Sequence, residues 1–296
     1  MFRASSDDEI RTYEVLSSIL GDRDKAYYAL SLLSGDYLPH SSRRVAELTG
    51  RREEDVMEAW REIRSSFDRE RIDFSVIGES SNAFPRTNCP SHVHYIYYAG
   101  NLDLLKGQYV TFLGMPSASL QGKSDMAKAV ETAVEDDVAV LAPLDPGLSA
   151  MALAYALKLG GKAIAVSSSF LSKCPSEKLL PLMGSLYEKG LMLTPFPPSM
   201  KSERWHVVLR NRFIASISWS LFLPEEKDGG PSWAIADPAL SAGAKVMIPS
   251  AAIGNPQYTW CAKRADKALV FRKGGDIRKL YGRRRPERDL APDLFS

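Results

Sequence analysis

Apolar residues recur in two rhythms along this chain, and the change between them divides it. Up to about residue 70 the spacing is helical. In "DVMEAWREIRSSF", Val56, Ala59, Trp60, Ile63 and Phe67 return at steps of three and four, as on one face of an amphipathic helix. "SSRRVAELTG" just before reads as a serine cap, a short helix and a stop at Gly50. The pair looks like a helix-turn-helix. Its second helix, however, carries Glu53, Glu54, Asp55, Glu58 and Glu62, the wrong sign for a surface that meets DNA phosphates. The expectation is a small N-terminal helical domain over residues 1–72 that packs and does not read DNA.

Residues 75–100, with Pro85, Pro90 and Gly100, read as irregular. Beyond them short apolar runs alternate with helical ones. Strands are predicted at 109–114, 138–143, 162–168, 191–196, 218–224 and 244–249. Helices are predicted at 123–134, 148–160, 176–190, 232–243 and across "RWHVVLRNRFIASIS" from residue 204. Such alternation means βαβ units and a sheet covered on both faces. The predicted fold is therefore α/β: a Rossmann-like, doubly wound, mostly parallel sheet over residues 73–272, behind the N-terminal helices and ahead of a basic tail at 273–296.

Sheets of this kind bind ligands past the carboxyl ends of their strands. That rule gathers "GMPSASLQG", "PLDPGLSA", "SSSFLSKCP" and "PFPPSMKSERWH" on one rim. All four are rich in Gly, Ser and Pro, with Lys123, Lys173, Lys201 and Arg204 close by. Helix N-termini present amides to anions, and glycines let a backbone come close. The candidate ligand is thus a phosphate. The first turn is neither a dinucleotide fingerprint nor a P-loop: Gly114 lies eight residues before Gly122, where a P-loop needs five.

From about residue 84 to 265 these segments resemble the DNA-processing protein A (DprA/Smf) family. "FPRTNCPSHVHYIYYAGNLDLL" is similar to that family's aromatic-proline approach to the sheet. "FLGMPSASLQG" resembles its Gly-Ser-Arg-x-x-Ser-x-x-Gly turn at Gly114, Ser119 and Gly122. "PLDPGLSAMALAYALKLGGKAIAV" resembles its Gly-Leu-Ala-x-Gly-Ile-Asp turn and the helix and strand after it, and "LRNRFIASIS" its Arg-Asn-Arg-Ile-Ile-Ala-Gly-Leu-Ser helix. "EEKDGGPSWAIADPALSAGAKVMIP" is a fainter echo of its Ser-Gly-Ser segment. The resemblance implies a homodimeric protein without catalysis that holds single-stranded DNA in a basic pocket at the sheet rim. It also implies delivery of that strand to a RecA-type recombinase. Arg210 and Arg212, with Lys201 and Arg204, would meet phosphates, and Asn211 would hold a loop or a sugar-phosphate oxygen. Gly114, Ser117, Ser119, Gly122, Lys123, Gly147 and Lys173 complete the expected phosphate-binding set. Trp205, Phe170 and Phe196 are either stacking faces or core. The chain departs from the pattern where the family's turn Arg is Pro116 and its turn Asp is Ser149.

Composition changes this picture little. A net charge of +2 leaves any DNA site to local clustering. Arg283, Arg284 and Arg285 in the tail are either a nonspecific DNA contact or a solvated extension. Cys89, Cys174 and Cys261 form no Cys-x-x-Cys pair, and Cys174 beside Lys173 reads as a loop thiol. His92 and His94 alternate as on a polar strand edge with no carboxylate nearby in sequence, so no metal is expected there, and no cofactor. No signal core or membrane-length apolar run appears, which suits the cytoplasm. Two other readings stay open: a small-nucleotide sensor or phosphoribohydrolase-like enzyme using Glu225 or Glu226, and an interaction protein whose pocket has decayed.

Overall fold

The computed structural model describes residues 7–78 and 90–281. Pro85, Cys89 and the arginines at 283–285 lie outside the described residues. Four helices come first: α1 (Asp7–Leu20), α2 (Arg23–Leu32), α3 (Ser42–Thr49) and α4 (Glu53–Asp68). Gly50, with φ of 65°, turns the chain from α3 into α4 through a left-handed cap that glycine takes without penalty. Then follow β1 (Ser75–Gly78) and β2 (Tyr95–Gly100), and after them β3 (Tyr109–Phe112), α5 (Leu120–Glu135), β4 (Ala139–Pro143), α6 (Leu148–Lys158) and β5 (Ala163–Val166). The chain continues through α7 (Leu180–Lys189), β6 (Leu191–Thr194), α8 (Arg204–Ile217), β7 (Ser220–Phe222), α9 (Trp233–Ser241) and β8 (Lys245–Pro249). Two short helices, α10 (Ser250–Ile253) and α11 (Thr259–Lys263), lead to β9 (Leu269–Phe271) and a closing 3₁₀ turn, Gly274–Leu280.

The nine strands form one sheet in the order β1-β2-β6-β5-β4-β3-β7-β8-β9. From β6 to β9 every pairing is parallel, while β1–β2 and β2–β6 are antiparallel. The chain steps outward from β3 to β6, then α8 carries it back to β7 on the other side of β3. That reversal opens the crevice between β3 and β7, where ligands sit in doubly wound sheets. Strands β4, β5 and β6 are buried at every position, as a sheet roofed on both faces requires. Alternate residues serve alternate faces. Val140, Ala142, Ala163, Ala165 and Met192 pack under α5, α6 and α7, whereas Leu141, Ile164, Val166, Leu191 and Leu193 pack under α8 and α9.

The stretch expected to be irregular holds two strands, because the tyrosines of β2 are anchored at both ends. Tyr95 and Tyr97 bury their rings, and their hydroxyls donate to Glu9 (2.7 Å) and Glu14 (2.8 Å) of α1. Glu14 is itself buried and paired at 3.2 Å with buried Arg23, which also donates to the carbonyl of His92 at 3.1 Å. Burial, with the Glu14 charge beside it, pushes the Tyr97 phenol well above its ordinary range. The N-terminal helices thus share one continuous apolar cluster with the α5–α7 face of the sheet. Among the described residues no helix is long and apolar enough to cross a membrane.

The fold also runs further than the expected boundary at residue 273. Ile277 and Leu280 are buried, and Arg278 donates to Asp136 at the end of α5 at 2.7 and 3.0 Å. Asp276 anchors the turn, accepting from Lys279 (2.7 Å) and from the amides of Arg272 (2.9 Å) and Lys273 (3.1 Å). The Lys279 ammonium first, then the Arg272 amide, hold its carboxyl down at about 2, against an ordinary 3.8. The depressed value means that this contribution is complete above the ordinary value and is lost as pH falls through about 2. Asp276→Asn should therefore be less stable than the parent by about 1–2 kcal/mol near neutrality, the pair being screened at Lys279. Urea unfolding at stepped pH should show that gap narrowing steadily in the acid range.

Candidate nucleic-acid interface

The loops after β3 and β4 are locked together before any ligand is considered. A Cβ on Gly114 would lie 2.6 Å from Cδ1 of Leu148, the first residue of α6. Gly147, with φ of 104°, would meet the Cα of Pro116 at 2.4 Å. Both the left-handed backbone and the contact demand glycine there. Ser119 caps α5 by accepting from the Gly122 amide at 3.0 Å.

The start of α5 is occupied from inside the chain. The Ser119 amide donates to Glu225 Oε2 at 2.8 Å, and the Ser119 hydroxyl donates to Oε1. A Cβ on Gly122 would sit 2.4 Å from the Glu225 carboxyl carbon, so the glycine lets that carboxylate lie flat on the helix start. Met115 donates its amide to the Glu225 carbonyl at 3.2 Å. Neighbouring Glu226 accepts from the amides of Lys227 (3.0 Å) and Ser232 (3.1 Å). The turn after β7 thus closes over the turn after β3, across the crevice. The Ser119 amide expected for phosphate faces a carboxylate, and that of Gly122 faces the Ser119 hydroxyl.

Helix α8 divides its donors between two sides. Arg210 is fully buried and pairs with Asp145 in two parallel bonds, Nη1 to Oδ1 at 2.9 Å and Nη2 to Oδ2 at 2.7 Å. Its Nε donates to Asn211 Oδ1 at 3.0 Å, and Asn211 is also buried, with Nδ2 at 3.5 Å from the Pro231 carbonyl. Arg210 was expected to meet phosphates and instead binds the loop after β4, whereas Asn211 takes the loop-holding alternative, on the loop after β7. Two residues along a helix are a turn of about 200°, so Arg210 and Arg212 could never face one ligand together. Lys173 is likewise committed, donating to the carbonyls of Pro198 (3.0 Å) and Met200 (2.9 Å), and it braces the loop after β6.

Lys201, Arg204, Arg212 and Lys123 are exposed, and among the described residues none has a charged partner. Arg204, Val208 and Arg212 recur at steps of four and share one face of α8, with Trp205 alongside. Trp205 is 44 % exposed and Val208 50 % exposed. The indole donates to Glu203 at 2.7 Å, which fixes the ring at the helix start. No acidic residue lies in the first turn of α8, where helices ordinarily favour one. Beneath, buried His206 stacks on Phe196 at 4.0 Å, and burial lowers its pKa. Phe196 and Phe170 are core residues, each 1 % exposed. Ser117 is exposed and Ser149 is buried. Cys174 donates its thiol to the Ser176 carbonyl at 2.8 Å.

Comparison with known proteins gives the family and the fold. The family model for DNA recombination-mediator protein A matches residues 75–281. The chain belongs to that family. DNA processing protein DprA of Streptococcus pneumoniae is 28% identical over 152 residues, 51% of this chain and 54% of the relative. Its Bacillus subtilis counterpart is 23% identical over 162 residues, 54% of each chain. The chain thus spans about half the length of these curated relatives. The X-ray structure of the Streptococcus pneumoniae protein superposes with a TM-score of 0.75 at 21% identity, over 95% of this chain and 100% of that one. DNA processing protein A of Helicobacter pylori, whose structure is described for its single-stranded DNA binding mode, gives a TM-score of 0.60 at 16% identity, over 71% of this chain and 96% of that one. Both share the fold of this family member.

Replacing Arg210 by Met should cost about 3 kcal/mol, the low end for breaking a buried pair, because Asp145 is partly open to water. Chemical denaturation measures this. An unchanged midpoint would deny Arg210 its structural role.

Proposed function

We propose that the chain binds single-stranded DNA through its phosphates, without reading sequence, along the outer face of α8 and the adjoining rim. One observation carries this reading: Lys201 and Arg204, exposed and without charged partners, lie beside the half-exposed ring of Trp205 at the carboxyl ends of the strands, and exposed Arg212 continues the same face of α8 about two turns along. Phosphates would meet the cations and the positive end of the α8 dipole, and a base would rest on the indole. Lys123, across the crevice on α5, extends the track. Buried Arg210 and Asn211 and partly buried Lys173 hold the loops in place and touch no DNA. Membership of the recombination-mediator family supports a role in recombination or uptake of DNA. Delivery to a RecA-type recombinase, action as a homodimer and a cytoplasmic location are the parts of the proposal that rest on the family alone.

Pro116, where relatives carry Arg, and Glu225, seated on α5, together favour a strand path displaced from the β3 turn toward α8. Glu225 and Glu226 both bind backbone amides, so neither is a free base for the nucleotide-hydrolase reading.

Fluorescence anisotropy with a labelled oligo-dT over a salt series tests the path. Each of Lys201→Gln, Arg204→Gln and Arg212→Gln should lower the slope of log K against log salt by about 0.7, and all three together by about 2. Trp205→Ala should weaken binding by about 1–3 kcal/mol while leaving the slope alone. Parent-like slopes in all three single variants and the triple would sink the proposal.

A further inference from the structure

We propose that Asp22, Asp24 and His92 form a binding site for a zinc-like divalent cation that fastens α2 to the segment leading into β2. This inference is independent of the DNA reading. Their ligand atoms, one carboxylate oxygen from each Asp and one ring nitrogen from His92, all lie within 4.8 Å of one another. They come from two segments almost 70 positions apart that the fold brings to one corner. His92 Nδ1 stands 3.0 Å from Asp24 Oδ2. Two ligands of a tetrahedral zinc at about 2.0–2.2 Å are separated by about 3.3 Å. For this pair a cation enters with a shift of a few tenths of an ångström, and the Asp22 oxygen, within 4.8 Å of both, closes in by at most about 1.5 Å.

The other contacts hold the ligands for such an ion. Asp22 Oδ1 accepts from the amides of Asp24 (2.9 Å) and Lys25 (3.0 Å), which fixes the carboxylate and leaves its second oxygen for a ligand. Asp24 Oδ1 is engaged by the His92 amide (2.7 Å) and by His94 Nε2 (2.7 Å), which leaves Oδ2 toward the site. The His94 ring is stacked on Tyr27 at 4.2 Å and 6°, so it orients the carboxylate as the outer partners of metal ligands do. His92 has φ of 74°, a left-handed value uncommon for a residue with a side chain, and it turns the imidazole onto Asp24. Half-exposed Asp24 and His92 leave the corner open to an arriving ion.

The donor set decides the class. One imidazole nitrogen with two carboxylates suits zinc, cobalt or nickel, whereas calcium and magnesium take oxygen alone. Three protein ligands leave a fourth position for water. Arg23, between the two aspartates in sequence, points the other way, to Glu14 and the His92 carbonyl. The cation would thus clamp from outside the junction that Arg23 ties from within.

The test uses the full, untagged, reduced chain after chelator treatment and dialysis. Zinc chloride is titrated calorimetrically, and cobalt(II) is titrated with visible absorption. The expected result is one equivalent of zinc, the intense visible bands of four-coordinate cobalt, and a thermal transition raised by stoichiometric zinc. Asp24→Asn and His92→Gln should each abolish these. His94→Gln should keep the one equivalent with roughly 10-fold weaker binding, and His40→Gln should match the parent. His92→Gln alters only a half-exposed ring, so a folded variant remains even if Asp24→Asn destabilises α2. No saturable uptake by the parent, or uptake unchanged in His92→Gln, would overturn the proposal.

Discussion

The rim depends on one ion pair. Arg210 reaches from α8, on one face of the sheet, to Asp145 in the loop between β4 and α6, a helix of the other face. A guanidinium taken wholly out of water is costly unless its donors are matched, and here two go to one carboxylate and a third to Asn211. Because the match is bidentate, it fixes direction as well as distance. Asn211 extends the same constraint to Pro231 after β7. Loops that would otherwise wander are thereby held in register across the crevice.

Several acidic groups at the rim are matched from within the chain. Glu225 and Glu226 lie buried on backbone amides and partly exposed Asp145 is held by Arg210, while Glu203 stays exposed at the start of α8. The uncompensated positive groups, Lys201, Arg204, Arg212 and Lys123, lie outside. A molecule with a net charge of only +2 can in this way offer an anion a locally positive surface.

Strands β3 to β8 were legible because short, wholly buried apolar runs between helices have few other interpretations. β2 was not, since its tyrosines read as polar and their partners, Glu9 and Glu14, lie more than 80 residues earlier. β9 was lost because its apolar run is hemmed closely by Lys267 and Arg272, whereas equally short β7 lies within the longer apolar run 218–224. At the site, the outward set on α8 follows from steps of four, and the same geometry separates Arg210 from Arg212. What no local pattern reveals is the partner: Asp145 is 65 residues from Arg210, and Asp24 is 70 from His94. Residue type fixes the appetite of a side chain for a partner, and only the fold supplies one.

The antiparallel insertion of β2 beside β6 also sets an order of assembly. β2 has its sheet neighbour on one side only when Leu191–Thr194 exist, nearly a hundred residues later. Arg23, near the start, finds the Pro195 carbonyl only at that point too. During synthesis the helices of residues 7–68 can meet the β1–β2 hairpin well before β6 exists to join that hairpin to the parallel sheet. Their early partner is one another, α1 against α2 and α4. A chain stopped before β6 would leave one edge of β2 without its strand partner, while α1 and α2 could still cover its tyrosine rings.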